Sequence, residues 1–324
     1  MPKFKLIRFT DVRGHDRARE LLRAALARDR LPHALLFAGT DGIGKRSLAL
    51  AFVARLQCEH DGEDACGDCA SCRQITAKSH PDVQVVSVAP GKKEIGIDRI
   101  RDLKRFMQLQ PIRGKVKVAV IDEAHLLTIP AQNALLKVLE EPPGRSLLLL
   151  VSSNPEALLP TVRSRCQRLQ FAPLPTDTVV EILTAAADID ADGARELAVL
   201  AEGSPGRARM LQACLDGVSR ADWRQRLAGL EQARYVRLAR TANELSSPET
   251  QVATRLEMLL SDLRDQAVHR VSAETLDASP ASAIELRSLL RRADAVDVAW
   301  NLIRRGNPNR QLLLEALLLR LADS

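Results

Sequence analysis

The sequence predicts an α/β domain built on a parallel sheet, followed by an all-helical C-terminal half. Apolar runs of strand length alternate with segments of helical periodicity as far as about residue 171, and beyond it only helical patterns and short breaks occur. The 46% hydrophobic content comes from Leu, Ala, Val and Ile, with only 3% aromatic residues. That composition suits helices and buried parallel strands better than a β-sandwich. A length of 324 residues accommodates two or three domains of roughly 100–150 residues each.

The elements follow in order. Residues 15–29 carry Ala18, Leu21, Leu22, Ala25 and Leu26 at helical spacing, with Pro32 beyond the end. Ala34–Ala38 is a short apolar run, read as a buried strand, and Ser47–Leu56 returns to helical spacing. A second strand is expected at Val83–Val88, a helix around Asp98–Gln108, and a third strand at Val116–Ile121. Residues 126–140 place Leu127, Ala131, Ala134, Leu135, Val138 and Leu139 on one helical face, and Pro142-Pro143 stops them. Leu147–Val151 is the fourth strand. Pro173 and Pro175 mark a hinge, Gly203-Ser204-Pro205-Gly206 breaks the next helical stretch, and further breaks fall at 246–248 and 306–309. Gln311–Leu321 has leucine on more than one face, as expected of an oligomer interface or of an internal core helix.

No stretch approaches the ~18–20 apolar residues that span a bilayer. The opening Met1–Arg8 is too short and too charged for a signal peptide. A cytoplasmic protein without a membrane partner is expected, and its six cysteines are expected to stay reduced. The net charge of +6 fits an acidic partner and a solvated surface about equally.

Residues 39–46 read Gly-Thr-Asp-Gly-Ile-Gly-Lys-Arg, the phosphate-binding pattern G-x-x-x-x-G-K-[ST] up to its last position. Gly39, Gly42 and Gly44 free the backbone to curl around phosphate, and Lys45 reaches the outer oxygens. Arg46 stands where a hydroxyl would help hold Mg²⁺. Strand, glycine loop and helix follow one another as the pattern requires. Asp122-Glu123 closes the third strand, 77 residues beyond the lysine (45 to 122). In that position the aspartate orients metal and the glutamate polarises a water. Two surface acids capping a strand is the plain alternative.

Cys58, Cys66, Cys69 and Cys72 give C-x7-C-x2-C-x2-C within a loop of about 58–72. Four thiolates so spaced can close a tetrahedral Zn²⁺ site with S ligands at ~2.3 Å, which makes structural zinc the preferred reading. A disulfide cluster disagrees with the compartment, and spacing does not separate zinc from an iron–sulfur cluster. His60 and His80 are expected to be surface residues rather than ligands, and the isolated Cys166 and Cys214 to be small buried residues rather than nucleophiles. Arg165, in Ser164-Arg165-Cys166, can project toward a neighbouring subunit's γ-phosphate as an arginine finger, or can be an ordinary surface arginine.

Taken together these strings resemble the clamp-loader branch of the AAA+ family. They are Leu31–Phe37 before the loop, the cysteine module after its helix, Ile121–His125, Asn133–Pro143 and Ser164–Cys166, with a weaker return in Gly203–Arg207 and the leucine-rich end. The resemblance implies a P-loop AAA+ domain over 1–172 with the zinc module inserted, a helical lid over 173–208 and an all-helical collar over 209–324. It implies a subunit of a hetero-oligomeric five-membered ring, beside tau/gamma-type motor subunits and a delta subunit, which loads the sliding clamp onto primed DNA with ATP bound between subunits. The rigid, non-hydrolysing member of such a ring offers its Ser-Arg-Cys arginine, here Arg165, to the adjacent motor's ATP. Arg46 argues against hydrolysis at the chain's own site, while Gly39, Gly44, Lys45, Asp122 and Glu123 leave ATP or ADP binding open. Arg207, and Ser153 or Asn154, are the candidate nucleotide sensors. An ATP-hydrolysing motor of tau/gamma or Holliday-junction branch-migration type, and a zinc-dependent nucleic-acid-binding module, are the competing readings.

Overall fold

In the computed structural model, residues 6–28, 30–186, 189, 191–215, 241–243, 246, 252–274, 280–305 and 308–322 are described. The chain divides into two compact units, Met1–Arg207 and Ala208–Ser324.

The first unit is a three-layer α/β sandwich. Strands β1 (Ala34–Ala38), β2 (Val83–Val86), β3 (Lys117–Ile121), β4 (Ser146–Ser152) and β5 (Gln167–Gln170) form a parallel sheet in the order β2-β3-β4-β1-β5. The three central strands are buried along nearly their whole length, which explains why they read as continuous apolar runs. Their side chains alternate between two cores. Leu35, Phe37, Val118, Val120, Leu147 and Leu149 face one side, with α1 (Asp16–Ala27) and α2 (Lys45–Gln57). Leu36, Ala119, Ile121, Leu148 and Leu150 face the other, with α4 (Ile97–Gln108) and α5 (Ile129–Glu140). Each sheet face is thus covered by helices, as parallel strands require.

Two differences from the sequence expectation have local causes. The helix expected from 126 begins at Ile129, because Thr128 caps it by accepting from the Ala131 N–H and Pro130 occupies its first turn, after a 3₁₀ turn at Ala124–Leu126. Strand β5 and helix α3 (Ala70–Thr76) were not expected. β5 is a short edge strand of polar residues, of which only Leu169 is buried, so it carries no apolar run to read. After α6 (Pro160–Arg163), helices α7 (Thr176–Ala186), α8 (Ala191–Leu200) and the start of α9 (Pro205–Leu215) complete the first unit.

In the second unit, α10 (Val252–Glu274), α11 (Pro280–Arg305) and α12 (Arg310–Ala322) share one core. Leu314, Leu317, Leu318 and Leu321 of α12 are buried in it, while Leu312 and Leu319, one heptad apart, are exposed. The expected breaks at 247–248 and 306–307, and the side chain of Cys214, lie outside the described residues. No helix among those residues is long and apolar enough to cross a membrane.

Candidate nucleotide-type site, cysteine cluster and surface arginine

Three neighbouring strand ends build one cavity of about 360 Å³. β1 leads into the glycine loop, β3 runs directly into Asp122 and β4 into Ser153. Ligand sites of open α/β sheets lie at this carboxyl edge. Gly44, at φ +103°, turns the chain into α2 in a conformation that L side chains rarely adopt. Gly42, at φ +72°, packs so closely on Gly206 that a Cβ would come within 3.0 Å of the Gly206 Cα. There the Gly206 N–H donates to the Gly42 carbonyl at 2.9 Å and the Ser204 hydroxyl to the Asp41 carbonyl at 2.7 Å.

Lys45 is 5% exposed, and its ammonium donates to the carbonyls of Gly39 and Thr40 at 2.8 and 2.5 Å. Burial lowers its pKa, against the pull of Asp41 and Asp122. Arg46 lines the cavity, its guanidinium 2.9 Å from Asp122 Oδ2, while Asp122 Oδ1 accepts from the Glu123 N–H at 3.1 Å. Glu123 is exposed at φ +51° and lines the same cavity. Gly42, Gly44, Lys45, Arg46, Asp122 and Glu123 therefore meet at one site, with Gly39 at its root. Ser153, rather than Asn154, lines it and pairs with His125 Nε2 at 3.2 Å. The Arg207 guanidinium pairs with Glu202 at 3.0 Å. Burial lowers the His125 pKa. His15 was not foreseen: its Nε2 meets the Ile43 carbonyl at 2.7 Å and its ring packs edge-on against Phe171. Nothing in its sequence context distinguishes it from a helix-start residue.

The cysteine module folds into N–H···S turns. Cys66 Sγ accepts from the N–H groups of Asp68 and Cys69 at 3.4 and 3.3 Å, and Cys69 Sγ from that of Cys72 at 3.4 Å. Donor atoms of Cys58, His60, Cys66 and Cys69 lie within 4.8 Å of one another, and Cys72 Sγ is 3.9 Å from Cys66 Sγ. Hydrogen bonding from His60, then from the Cys69 and Asp68 backbone, draws the Cys66 thiol down to about 5, ready to ligate as thiolate. The donor set suits a thiophilic tetrahedral ion. His60 is a surface residue, as expected, and it also stands beside the cluster, its Nδ1 3.3 Å from Cys66 Sγ. His80 is a correction to the sequence reading, since it is 5% exposed and accepts the Asp82 N–H. Asp64 anchors the module by accepting from the backbone N–H groups of Phe9 and Thr10 at 3.0 Å.

Arg165 is a surface residue after α6. Its guanidinium is 2.9 Å from Glu140 Oε1 and donates to the Thr161 carbonyl at 3.0 Å. Buried Gln132 ties this segment to α5, donating to the Leu127 and Ala157 carbonyls and accepting from the Leu159 N–H at 2.7 Å. Cys166 packs against the core, and burial pushes its thiol up to about 12, as a structural cysteine requires.

A five-stranded parallel sheet with this glycine loop, a strand-end Asp-Glu and a helical segment closing on the loop is a P-loop AAA+ fold. The profile described as "DNA polymerase III, delta subunit" matches residues 14–175, and the chain belongs to that family. It is 30% identical to DNA polymerase III subunit delta' of Escherichia coli K12 over 93% of this chain and 92% of that one. It is 40% identical to subunit delta' of Pseudomonas aeruginosa over 55% of each, and 36% identical to subunit tau of Bacillus subtilis over 66% of this chain. The chain spans only 38% of that tau subunit and 55% of the Pseudomonas protein, whereas the Escherichia coli match runs nearly end to end.

Proposed function

We infer that this chain is the non-hydrolysing, delta'-type stator of a bacterial clamp loader. In that role it helps place the sliding clamp on primed DNA beside tau/gamma and delta subunits, in the cytoplasm, and offers Arg165 to a neighbour's ATP. The observation that carries the reading is the Arg46–Asp122 ion pair, which sets a fixed guanidinium where a hydrolytic site needs a hydroxyl and Mg²⁺. The near end-to-end match to a delta' subunit supports the same choice over a tau/gamma motor. The chain falls into the AAA+ domain at 1–172, the lid at 173–208 and the collar at 209–324. Exposed apolar residues among those described in the second unit, including Leu290, Val298, Leu302, Leu312 and Leu319, suit a collar that packs on other subunits.

The purified chain should therefore show no ATP turnover above a Lys45→Ala control. Turnover at the rate of a tau/gamma subunit, lost in that variant, would make the chain a motor instead.

Structural zinc on Cys58, Cys66, Cys69 and Cys72, with His60 hydrogen-bonded to Cys66 at the edge, would close residues 58–72 into one rigid loop. Metal analysis should give one zinc per chain. Chelation should lower the melting temperature by at least about 5 °C, because binding energy at such a site is folding energy. The folded chelated chain should keep whatever DNA affinity it has. Direct loss of that affinity would favour the zinc-dependent nucleic-acid module.

A further inference from the structure

We propose that Arg46 is the resident cation of the phosphate site, so that the loop binds a nucleoside di- or triphosphate without a divalent metal. The proposal rests on the reading of this chain as a non-hydrolysing subunit and names the ligand of that subunit's own site.

The cavity of about 360 Å³ is of ligand-cleft size. It retains the glycine loop, Lys45 and the strand-end acids, so the parts that cradle phosphate are in place. What differs is the cation. In a metal-dependent site the strand-end aspartate and the residue-46 hydroxyl help hold the ion. Here Asp122 Oδ2 is taken by the guanidinium at 2.9 Å and Oδ1 by the Glu123 N–H. An incoming Mg²⁺ would meet the positive charge of Arg46 at that carboxylate and would find no oxygen on the arginine side chain. A guanidinium has five N–H donors in a planar fork. The contact with Asp122 uses one edge, and the Arg46 side chain is 50% exposed while that of Asp122 is 10% exposed. Arg46 lines the cavity together with Lys45 and Gly44, so its remaining donors are available to a ligand held there. Arg46 thus bridges a carboxylate and a polyphosphate as a metal would, through charge-assisted hydrogen bonds. It supplies no metal-bound oxygen geometry, which separates binding from cleavage.

Calorimetric titration of the full chain with ADP and with ATP, in EDTA and in excess MgCl₂, tests this. Affinity should agree within about two-fold between the two conditions. Arg46→Ala should weaken it at least about ten-fold in EDTA, the size expected for losing a charged hydrogen-bond donor. Arg46→Thr, which returns the hydroxyl, should bind more tightly in MgCl₂ than in EDTA. Wild-type binding that needs Mg²⁺, an Arg46→Ala variant that binds as well as wild type, or no binding at all would each overturn the proposal. None of these results bears on the stator reading, which stands or falls on ATP turnover by the isolated chain.

Discussion

Arg165→Ala is expected to lower ATP hydrolysis at the site it faces in the reconstituted complex by at least about 10³-fold, the lower range for loss of an arginine finger. The magnitudes explain how a residue already paired in the free chain can serve. The Arg165–Glu140 contact, with side chains 37% and 50% exposed, is a surface ion pair worth about 0–1 kcal/mol. A 10³-fold rate factor corresponds to about 4 kcal/mol of transition-state stabilisation. In the proposed role, leaving Glu140 for a γ-phosphate would therefore cost a small part of what the new contact returns, and the Glu140 pair is too weak to trap the arginine. Arg165→Lys keeps the charge but loses the planar fork, so it should recover only part of the rate. Glu140→Gln should change the rate by no more than about five-fold. The measurement is single-turnover hydrolysis in complexes whose other sites are disabled, with assembly followed by sedimentation. An unchanged rate in an intact complex would remove Arg165 from the chemistry. Loss of assembly would make it an interface residue instead.

The parts of this architecture that were legible in the sequence share one property: each rests on a local pattern. β1, β3 and β4 are buried on both faces and so read as unbroken apolar runs, and the glycine loop and cysteine spacing are contiguous strings. β5 escaped because its position is set by pairing with β1 and not by its own Gln-Arg-Leu-Gln sequence. The partner of Arg46 escaped for a similar reason. Asp122 lies two strands away in the sheet from the strand that feeds the loop, and no spacing rule joins residues 46 and 122. His60 was read as a surface residue because it is one. Its exposure does not prevent its ring from reaching Cys66 across a tight loop. Gln132 looks like a surface position of an amphipathic helix, yet it is 1% exposed, because the nearby Leu127 carbonyl and two backbone groups of the distant 157–159 segment satisfy its amide.

Asp82→Ala should destabilise the first unit by about 3–5 kcal/mol, the cost of breaking a buried ion pair from one side. In melting temperature that is on the order of 10 °C for a unit of this size. Asp82 and Lys117 are 0% and 1% exposed at the side chain and 2.9 Å apart. Asp82 also accepts three backbone N–H groups, from Ile112 at 2.8 Å and from Arg113 and Gly114 at 2.7 Å. Removing the carboxylate strands all three donors and leaves the ammonium with the Pro81 carbonyl at 3.0 Å and the face of Phe106. Lys117→Met should cost less, since Asp82 keeps its backbone donors and the methionine fills similar volume. The double variant Asp82→Ala/Lys117→Met should therefore be more stable than Asp82→Ala alone. The pair also has a pH signature. Burial by itself would raise the Asp82 pKa, but the N–H groups of Gly114, Ile112 and Arg113 together with Lys117 outweigh it and hold the carboxyl far below its ordinary value. A depressed folded-state pKa contributes stability that is complete above the unfolded value of about 3.9 and is lost as pH falls below it. Unfolding curves of the wild type should thus lose stability steeply below about pH 4, and Asp82→Asn should lose less over the same range. The consequence reaches the site, because Lys117 opens β3, the Val118 N–H bonds to the Asp82 carbonyl at 2.8 Å, and the same strand runs into Asp122. Loosening that anchor should weaken the Arg46–Asp122 register together with the fold. An Asp82→Ala chain that melts within about 2 °C of wild type would mean that water, rather than Asp82, satisfies these groups.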